Sequence, residues 1–156
     1  MDEHAPPDDL TRDAARQTLL AWLEETAENP VVAAVVEDEE SEAERWFVRV
    51  NGETKDVYSV WFELAQRTLR YETYVMPAPE ENHAAFYEQL LVRNDGLREL
   101  AFTIGPEHAV FLKGRLDLRH VDDEALDRIL GSVYETVERC FQPALRVGFA
   151  SRFTNS

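Results

Sequence analysis

Residues 67–94 constrain the fold most, because a strand pattern there runs through a proline-rich break into a helix pattern. Hydrophobic and polar side chains alternate first, with the period of two expected of a half-buried strand. The core face of this strand carries Leu69, Tyr71, Thr73 and Val75. Pro77 and Pro79 end the strand, because proline donates no ladder hydrogen bond. Pro79 also suits the first turn of a helix that opens with Glu80 and Glu81.

The residues after this break predict how the helix packs. Phe86, Leu90 and Leu91 recur at three- and four-residue spacing, with Tyr87 at their border. This spacing places them on one face of the helix. We expect that face to lie on the core side of the strand, which gives one sheet layer under one helix.

Periodicity and turn residues predict the other elements. The chain is predicted to begin with a helix over residues 9–28, for which Asp9 is available as a cap, followed by a strand over 31–36. A hairpin of strands 46–50 and 57–64 then turns around Asn51-Gly52. A second hairpin spans 100–116, and a last helix lies between Asp122 and Pro143. The apolar stripe of the last helix consists of Leu126, Ile129, Leu130, Val133, Val137, Cys140 and Phe141. We expect part of the tail over residues 144–153 to pack as well.

This order of elements predicts one α+β domain over residues 9–153. It contains an antiparallel sheet of five to six strands, with three helices packed mainly on one face, in the order helix, three or four strands, helix, two strands, helix. The strand over 31–36 joins the sheet if it pairs with the strand over 46–50. Residues 1–8 are predicted to be a disordered acidic arm, because two prolines stand among acids there without apolar periodicity.

Charge is distributed unevenly along the chain. The 156 residues carry a formal net charge of −15, and residues 1–44 hold fourteen Asp or Glu against two Arg. This acidity opposes binding to nucleic acid or to an anionic membrane, because both need clustered positive charge. The chain also has no apolar run long enough to span a bilayer, and its start is acidic where a signal peptide is basic. It is therefore predicted to be soluble and cytoplasmic.

The sequence contains no recognisable catalytic or cofactor motif. Its six glycines do not form a phosphate-binding loop, and no serine lies in a nucleophile elbow. The single cysteine, Cys140, is interpreted as a core residue. No metal-binding spacing connects the four histidines, which are His4, His83, His108 and His120. The sequence therefore predicts neither an enzyme nor a cofactor nor a metal site.

Several charged groups receive structural interpretations. Residues 37–44 lack the spaced ligands and central glycine of a calcium loop, so they are interpreted as a solvated loop. The triplet at residues 122–124 is interpreted as a helix cap. Glu81 and His83 leave open a metal site completed from elsewhere, although solvated residues at a helix start are the favoured interpretation.

One predicted surface points to function. If Trp46, Leu69, Leu100 and Val110 face the core, the opposite sheet face receives aromatic and cationic side chains, namely Phe47, Arg49, Arg70, Tyr74, Phe111, Lys113 and Arg115. Aromatic residues and arginine are enriched in protein interfaces. A similar mixture binds single-stranded RNA in some folds, but under a positive field that this acidic chain lacks. These seven residues are therefore predicted to form a partner or dimer interface.

Three strings in the sequence carry a resemblance to a known family, namely RTLRYETYVMPAPEENHAAFYEQLLVRND, VFLKGRLDL and LDRILGSVYETVE. By their aromatic, proline and glycine positions, the chain resembles the YbjN family over residues 10–153. These bacterial proteins are described as sensory-transduction regulators and are similar in fold to type III secretion chaperones. The resemblance implies a chaperone-like α+β fold, in which a second copy of the chain is the usual cover of an open sheet face.

Two functions remain open at this point. The first is a non-enzymatic, chaperone-like or regulatory module that binds a partner protein or peptide as a homodimer. The alternative is a small-ligand sensor with an apolar pocket between the central helix and the sheet, lined by Phe86, Tyr71 and Trp61. An enzyme ranks third, because its site would have to be assembled from residues far apart in the sequence.

Overall fold

The structure, a computed structural model, describes residues 8–153 of the chain. These residues form a six-stranded antiparallel sheet and three α-helices. The helices are α1 (Asp9–Thr26), α2 (His83–Asn94) and α3 (Asp123–Gly148). The strands are β1 (Val32–Glu37), β2 (Glu44–Val50), β3 (Tyr58–Leu64), β4 (Thr68–Met76), β5 (Ala101–Ile104) and β6 (Val110–Asp117). The order helix, four strands, helix, two strands, helix confirms the predicted α+β class.

The sheet has the strand order β1-β2-β3-β4-β6-β5. Short connections join β1 to β4 as an antiparallel meander, because consecutive strands joined by few residues pair with each other. Val35 of β1 pairs with Val48 of β2, so the strand predicted over residues 31–36 does join the sheet. After β4, α2 leads to the edge strand β5, and β6 returns between β5 and β4.

The core lies between one face of the sheet and the three helices. Trp22 of α1 packs edge-on against Phe62 of β3, with ring centroids 5.4 Å apart. Its Nε1 donates a hydrogen bond to Asp127 Oδ1 of α3 at 2.8 Å. Helix α2 contributes Phe86 and Leu90, and α3 contributes Ala125, Leu126, Ile129, Val133, Val137, Cys140 and Ala144. Each large apolar side chain buried here contributes about 1.5–3 kcal/mol, so this layer is the main source of stability.

The structure corrects the predicted start of α2. The helix begins at His83, four residues after Pro79. Glu80 and Glu81 do not form its first turn, because their N–H groups donate to Gly148 O at the end of α3, at 2.9 and 3.1 Å. The proline-rich break is therefore a tether between the strand layer and α3, and the helix opens after it.

The end of α3 also differs from the prediction. Pro143 lies inside the helix, which continues to Gly148. A proline in a helix interior removes one hydrogen bond and costs about 3 kcal/mol. Burial of Ala144 and Phe149 beyond the proline offsets part of this cost. The expectation that part of the tail packs is confirmed.

Two leucines predicted to face the core are not buried. Leu91 of α2 is 68% exposed, and Leu130 of α3 is only partly buried. Successive helix residues are about 100° apart around the axis, so the neighbour of a core residue points to one side of the core. The buried positions are Leu90 and Ile129, so the predicted stripes extend too far around each helix. Phe141, next to the buried Cys140 in α3, is only partly buried for the same reason.

Aspartate side chains cap the starts of α1 and α3. Asp122 Oδ1 accepts a hydrogen bond from Ala125 N at 2.8 Å, which confirms the predicted cap of α3. In α1 the cap is Asp8 and not Asp9, because Asp8 Oδ1 accepts from Thr11 N at 2.8 Å. Asp8 is therefore part of the helix start. The rest of the predicted arm, residues 1–7, lies outside the described residues.

Candidate interaction surface

The candidate site is the sheet face that points away from the helices, which we call the open face. Side chains alternate between the two faces along each strand, and Tyr74 is 43% exposed while its neighbours Thr73 and Val75 are buried. The same alternation places all seven predicted residues on the open face, namely Phe47, Arg49, Arg70, Tyr74, Phe111, Lys113 and Arg115. The structure thus brings these residues together. Their role as an interface stays a prediction.

One aromatic pair on the open face joins β2 to β3. Phe47 pairs directly with Trp61 across the strands, and their ring centroids lie 3.6 Å apart. The guanidinium carbon of Arg45 lies 3.9 Å from the centroid of the Trp61 ring, which is a cation–π distance. The prediction missed Arg45 and Trp61 for this face. Trp61 alternates with Val60 and Phe62, which are buried, and this alternation places Trp61 on the open face.

A second aromatic pair joins β4 to β6. Tyr74 and Phe111 are cross-strand neighbours in a T-shaped arrangement, with centroids 5.6 Å apart. Lys55 Nζ lies 5.5 Å from the Tyr74 centroid and donates a hydrogen bond to Val75 O at 3.0 Å. Burial lowers the pKa of the Lys55 ammonium and raises the pKa of the Tyr74 phenol. Sequence patterns did not indicate Lys55, because it lies in the loop between β2 and β3.

A groove of about 520 Å³ crosses the open face beside these aromatic pairs. We call it the cationic groove, because four cations line it, namely Arg45, Arg70, Lys113 and Arg115. Its carboxylates are Glu63 and Glu72, and Trp61 forms part of its wall. The local balance of charge is therefore positive on a chain whose net charge is −15.

The apolar pocket predicted between α2 and the sheet does not form from the three residues named for it. Trp61 and the buried Tyr71 both line the groove on the open face, whereas Phe86 is buried in the core and does not line it. The Tyr71 hydroxyl makes a structural contact, because it donates a hydrogen bond to Glu99 O at 2.7 Å. Burial raises its pKa, as expected for a phenol held in the core. The three residues named for the small-ligand alternative therefore do not line one pocket between α2 and the sheet.

Cys140 and Glu81, the other groups that could react or bind a metal, make structural contacts within residues 8–153. Cys140 is buried, its Sγ accepts a hydrogen bond from Arg93 Nη1 at 3.3 Å, and burial raises the pKa of its thiol. Glu81 accepts hydrogen bonds from Ser151 rather than approaching a metal partner. Within the described residues, no three His, Cys, Asp or Glu side chains are arranged to hold a metal ion. No helix in this part of the chain is long and apolar enough to cross a bilayer.

Fold and surface together define a class of protein: a small α+β domain whose six-stranded sheet is covered by helices on one face and leaves an aromatic and cationic face open. The chain belongs to the YbjN family. The model of that family matches residues 11–146 and carries the description "Putative bacterial sensory transduction regulator". The resemblance drawn from the three sequence strings is thereby confirmed.

Similar proteins occur in mycobacteria. An uncharacterized protein of Mycobacterium leprae (strain TN) is 34% identical over 107 residues, which cover 69% of this chain and 58% of the relative. Uncharacterized proteins of Mycobacterium bovis and of Mycobacterium tuberculosis (strain H37Rv) are each 34% identical over 104 residues, which cover 67% of this chain and 57% of each relative. The chain therefore spans somewhat more than half the length of the curated relatives it matches.

Proposed function

We propose that this chain is a non-enzymatic interaction module, chaperone-like or regulatory, that binds a partner protein or peptide as a homodimer. The observation that carries the proposal is the open face, where aromatic and cationic side chains lie together outside the helix-covered core. Aromatic residues and arginine are the side chains that protein interfaces enrich. The family description, a regulator of sensory transduction, agrees with action by binding.

The centre of the proposed dimer interface is the Tyr74–Phe111 pair. An edge-to-face pair that stands partly exposed on a sheet offers a rigid apolar surface, and such residues dominate the free energy of many interfaces. Arg49, Arg70 and Arg115 lie on the same face and supply a polar rim. A two-fold arrangement is the commonest way in which a small protein buries a self-complementary surface.

Charge permits this pairing. Most of the net negative charge lies in residues 1–44, because residues 45–156 hold seventeen acids against fourteen Lys or Arg. Two copies that meet through the open face join through this nearly balanced part of the chain, while the strongly acidic residues 1–44 lie elsewhere in sequence. Self-repulsion at the interface is therefore much smaller than the net charge of the chain implies.

Light scattering after size exclusion tests the dimer. At about 100 μM, an interface of micromolar affinity is mostly formed, so we expect twice the mass of one chain. Tyr74→Glu with Phe111→Glu places two carboxylates at the proposed centre and is expected to give a monomer. The matched control is Leu91→Glu with Val92→Glu, which changes two apolar side chains of similar or greater exposure on α2.

Two results would contradict this proposal. A monomeric mass for the unchanged chain would remove the homodimer. A dimer that survives the Tyr74 and Phe111 substitutions but dissociates in the Leu91 and Val92 control would place the interface on α2 instead of the open face.

A further inference from the structure

We propose that the cationic groove is a binding site for carboxylates, and that its ligand is a short acidic segment of a partner protein in extended conformation. The inference rests on the proposed function, because it assigns a ligand class to one part of the open face. It concerns the groove lined by Arg45, Arg70, Lys113 and Arg115, which adjoins the aromatic pair proposed as the dimer centre.

The first argument is an excess of cations that the described residues do not neutralise. Arg70 of β4 pairs directly with Arg115 of β6, and like charges in this position destabilise a sheet. Arg45 and Arg70 share one carboxylate, Glu63, at 3.6 and 3.8 Å, and neither distance is that of a strong ion pair. Within residues 8–153, Arg115 forms no ion pair. An anion in the groove would relieve this repulsion.

The second argument concerns hydrogen-bond donors. Arg45 Nε and Thr103 Oγ1 belong to side chains that line the groove, and neither atom has a hydrogen-bond partner within residues 8–153. The Glu63 oxygen that pairs with Arg45 lies 3.6 Å from Nε, which is too far for a hydrogen bond. Both are covered by neighbouring groups, and a covered donor without an acceptor destabilises the fold. A ligand oxygen that reaches either donor after a side-chain rotation would recover part of this cost. Carboxylate oxygens supply such acceptors.

The third argument selects an acidic peptide over a polyphosphate or nucleic acid. Glu63 and Glu72 stand among the cations of the groove, so a dense line of phosphates would meet two carboxylates of the protein. The net charge of −15 also repels a long polyanion at distances beyond the groove. Separate carboxylates on a short peptide can approach the cations individually. Trp61 forms part of the groove wall and adds an apolar contact for a side chain of the same segment.

The spacing of the cations sets the length of the segment. Arg45, Arg70 and Arg115 lie on β2, β4 and β6, and the strand order places three strand spacings between the first and the last. At about 4.8 Å per spacing this is about 14 Å, which about four residues of extended peptide cover. A single free carboxylate such as acetate cannot span the distance from Arg45 to Arg115, so we expect it to bind much more weakly than the peptide.

Fluorescence anisotropy with a labelled oligoglutamate peptide tests the site, and the matching oligoglutamine peptide is the neutral probe. At low ionic strength we expect the full chain to bind oligoglutamate and not oligoglutamine, with affinity falling as salt is added. Arg70→Gln with Arg115→Gln is expected to weaken binding at least about tenfold, the loss that corresponds to 1.4 kcal/mol. Lys113→Gln, a second and independent variant, is expected to weaken it less.

The matched control is Arg139→Gln with Arg146→Gln, which removes the same charge from exposed positions on α3. It is expected to leave affinity within about twofold, because surface charges beyond a Debye length are screened. Thermal melting of every variant shows whether it is folded. Arg70 and Arg115 are exposed, so their substitution is expected to leave the fold intact.

Three results would overturn the site: no binding of oligoglutamate, equal weakening by the α3 control, or stronger binding of inorganic phosphate or oligothymidine than of the peptide. The homodimer proposal and the groove proposal can be contradicted separately. If the Tyr74 and Phe111 variant is monomeric and still binds oligoglutamate, both proposals stand. A dimer that binds no acidic peptide removes the groove alone, and a monomeric natural chain that binds it removes the homodimer alone.

Discussion

Asp117, the last residue of β6, shows how a single carboxylate ties a strand to the following turn. Its Oδ1 accepts hydrogen bonds from Arg119 N at 2.8 Å and Arg119 Nε at 3.0 Å, and its Oδ2 accepts from Arg119 Nη2 at 2.8 Å. These bonds need the ionised carboxylate. The pKa of Asp117 is lowered from 3.8 to about 2, mainly because the Arg119 side chain donates hydrogen bonds to its carboxylate.

This lowered pKa predicts a stability change in acid. The unfolded chain takes up the proton first, so the Asp117–Arg119 contact stabilises the fold fully above pH 3.8 and loses its effect as the pH falls through about 2. Asp117→Asn keeps the size of the side chain but removes the charge. We expect urea unfolding to show a less stable variant at neutral pH and no difference at the acid end. A stability gap that persists in strong acid would contradict this assignment.

At the scale of the element, strands were more predictable than helix ends. Alternation involves only neighbouring residues, so β2, β3 and β4 could be placed within a few residues from their own sequence. The start of α2 could not, because Glu80 and Glu81 donate to Gly148 O, a partner more than sixty residues away. The same applies to α3, where burial beyond Pro143 overrides a local helix-breaking signal.

Helix α3 offers a matched test of which face is buried. Ile129 is 1% exposed and Leu130 is partly buried, and truncation of either to alanine removes the same number of carbon atoms. We expect Ile129→Ala to cost about 2–5 kcal/mol, the range for a fully buried side chain, and Leu130→Ala to cost at least about 1 kcal/mol less. Chemical denaturation of both variants measures the difference. Equal losses would mean that something covers Leu130 in solution, and the second groove that it lines, beside Tyr134, would be the place to look.

At the scale of the whole molecule, two layers and an open face follow from sequence periodicity, but the cationic groove does not. Arg45, Arg70 and Arg115 come together because β6 inserts between β4 and β5. Local patterns do not encode this strand order, so the sequence indicated a mixed aromatic and cationic face without its concave part. Trp61 was misplaced for a related reason, since its apolar character favoured the core over the exposed face that alternation assigns to it.

The boundary of the folded unit is the last whole-molecule question. We propose that residues 1–7 can be removed without loss of stability. The boundary then lies at Asp8, one residue before the predicted boundary at Asp9, because Asp8 caps α1 by accepting a hydrogen bond from Thr11 N. A chain that starts at Asp8 keeps this cap and sheds two acids, Asp2 and Glu3. Because net charge of one sign opposes compaction, we expect its melting temperature to equal or slightly exceed that of the full chain.

Asp8→Ala in the full chain is the control for this truncation. Removal of an N-cap aspartate leaves a backbone N–H of the first turn without its acceptor, so this variant is expected to melt lower than the unchanged chain. The two changes should therefore act in opposite directions, and differential scanning calorimetry separates them. If instead the chain that starts at Asp8 melts more than a few degrees below the full chain, residues 1–7 contribute to the fold, and the predicted domain boundary is wrong.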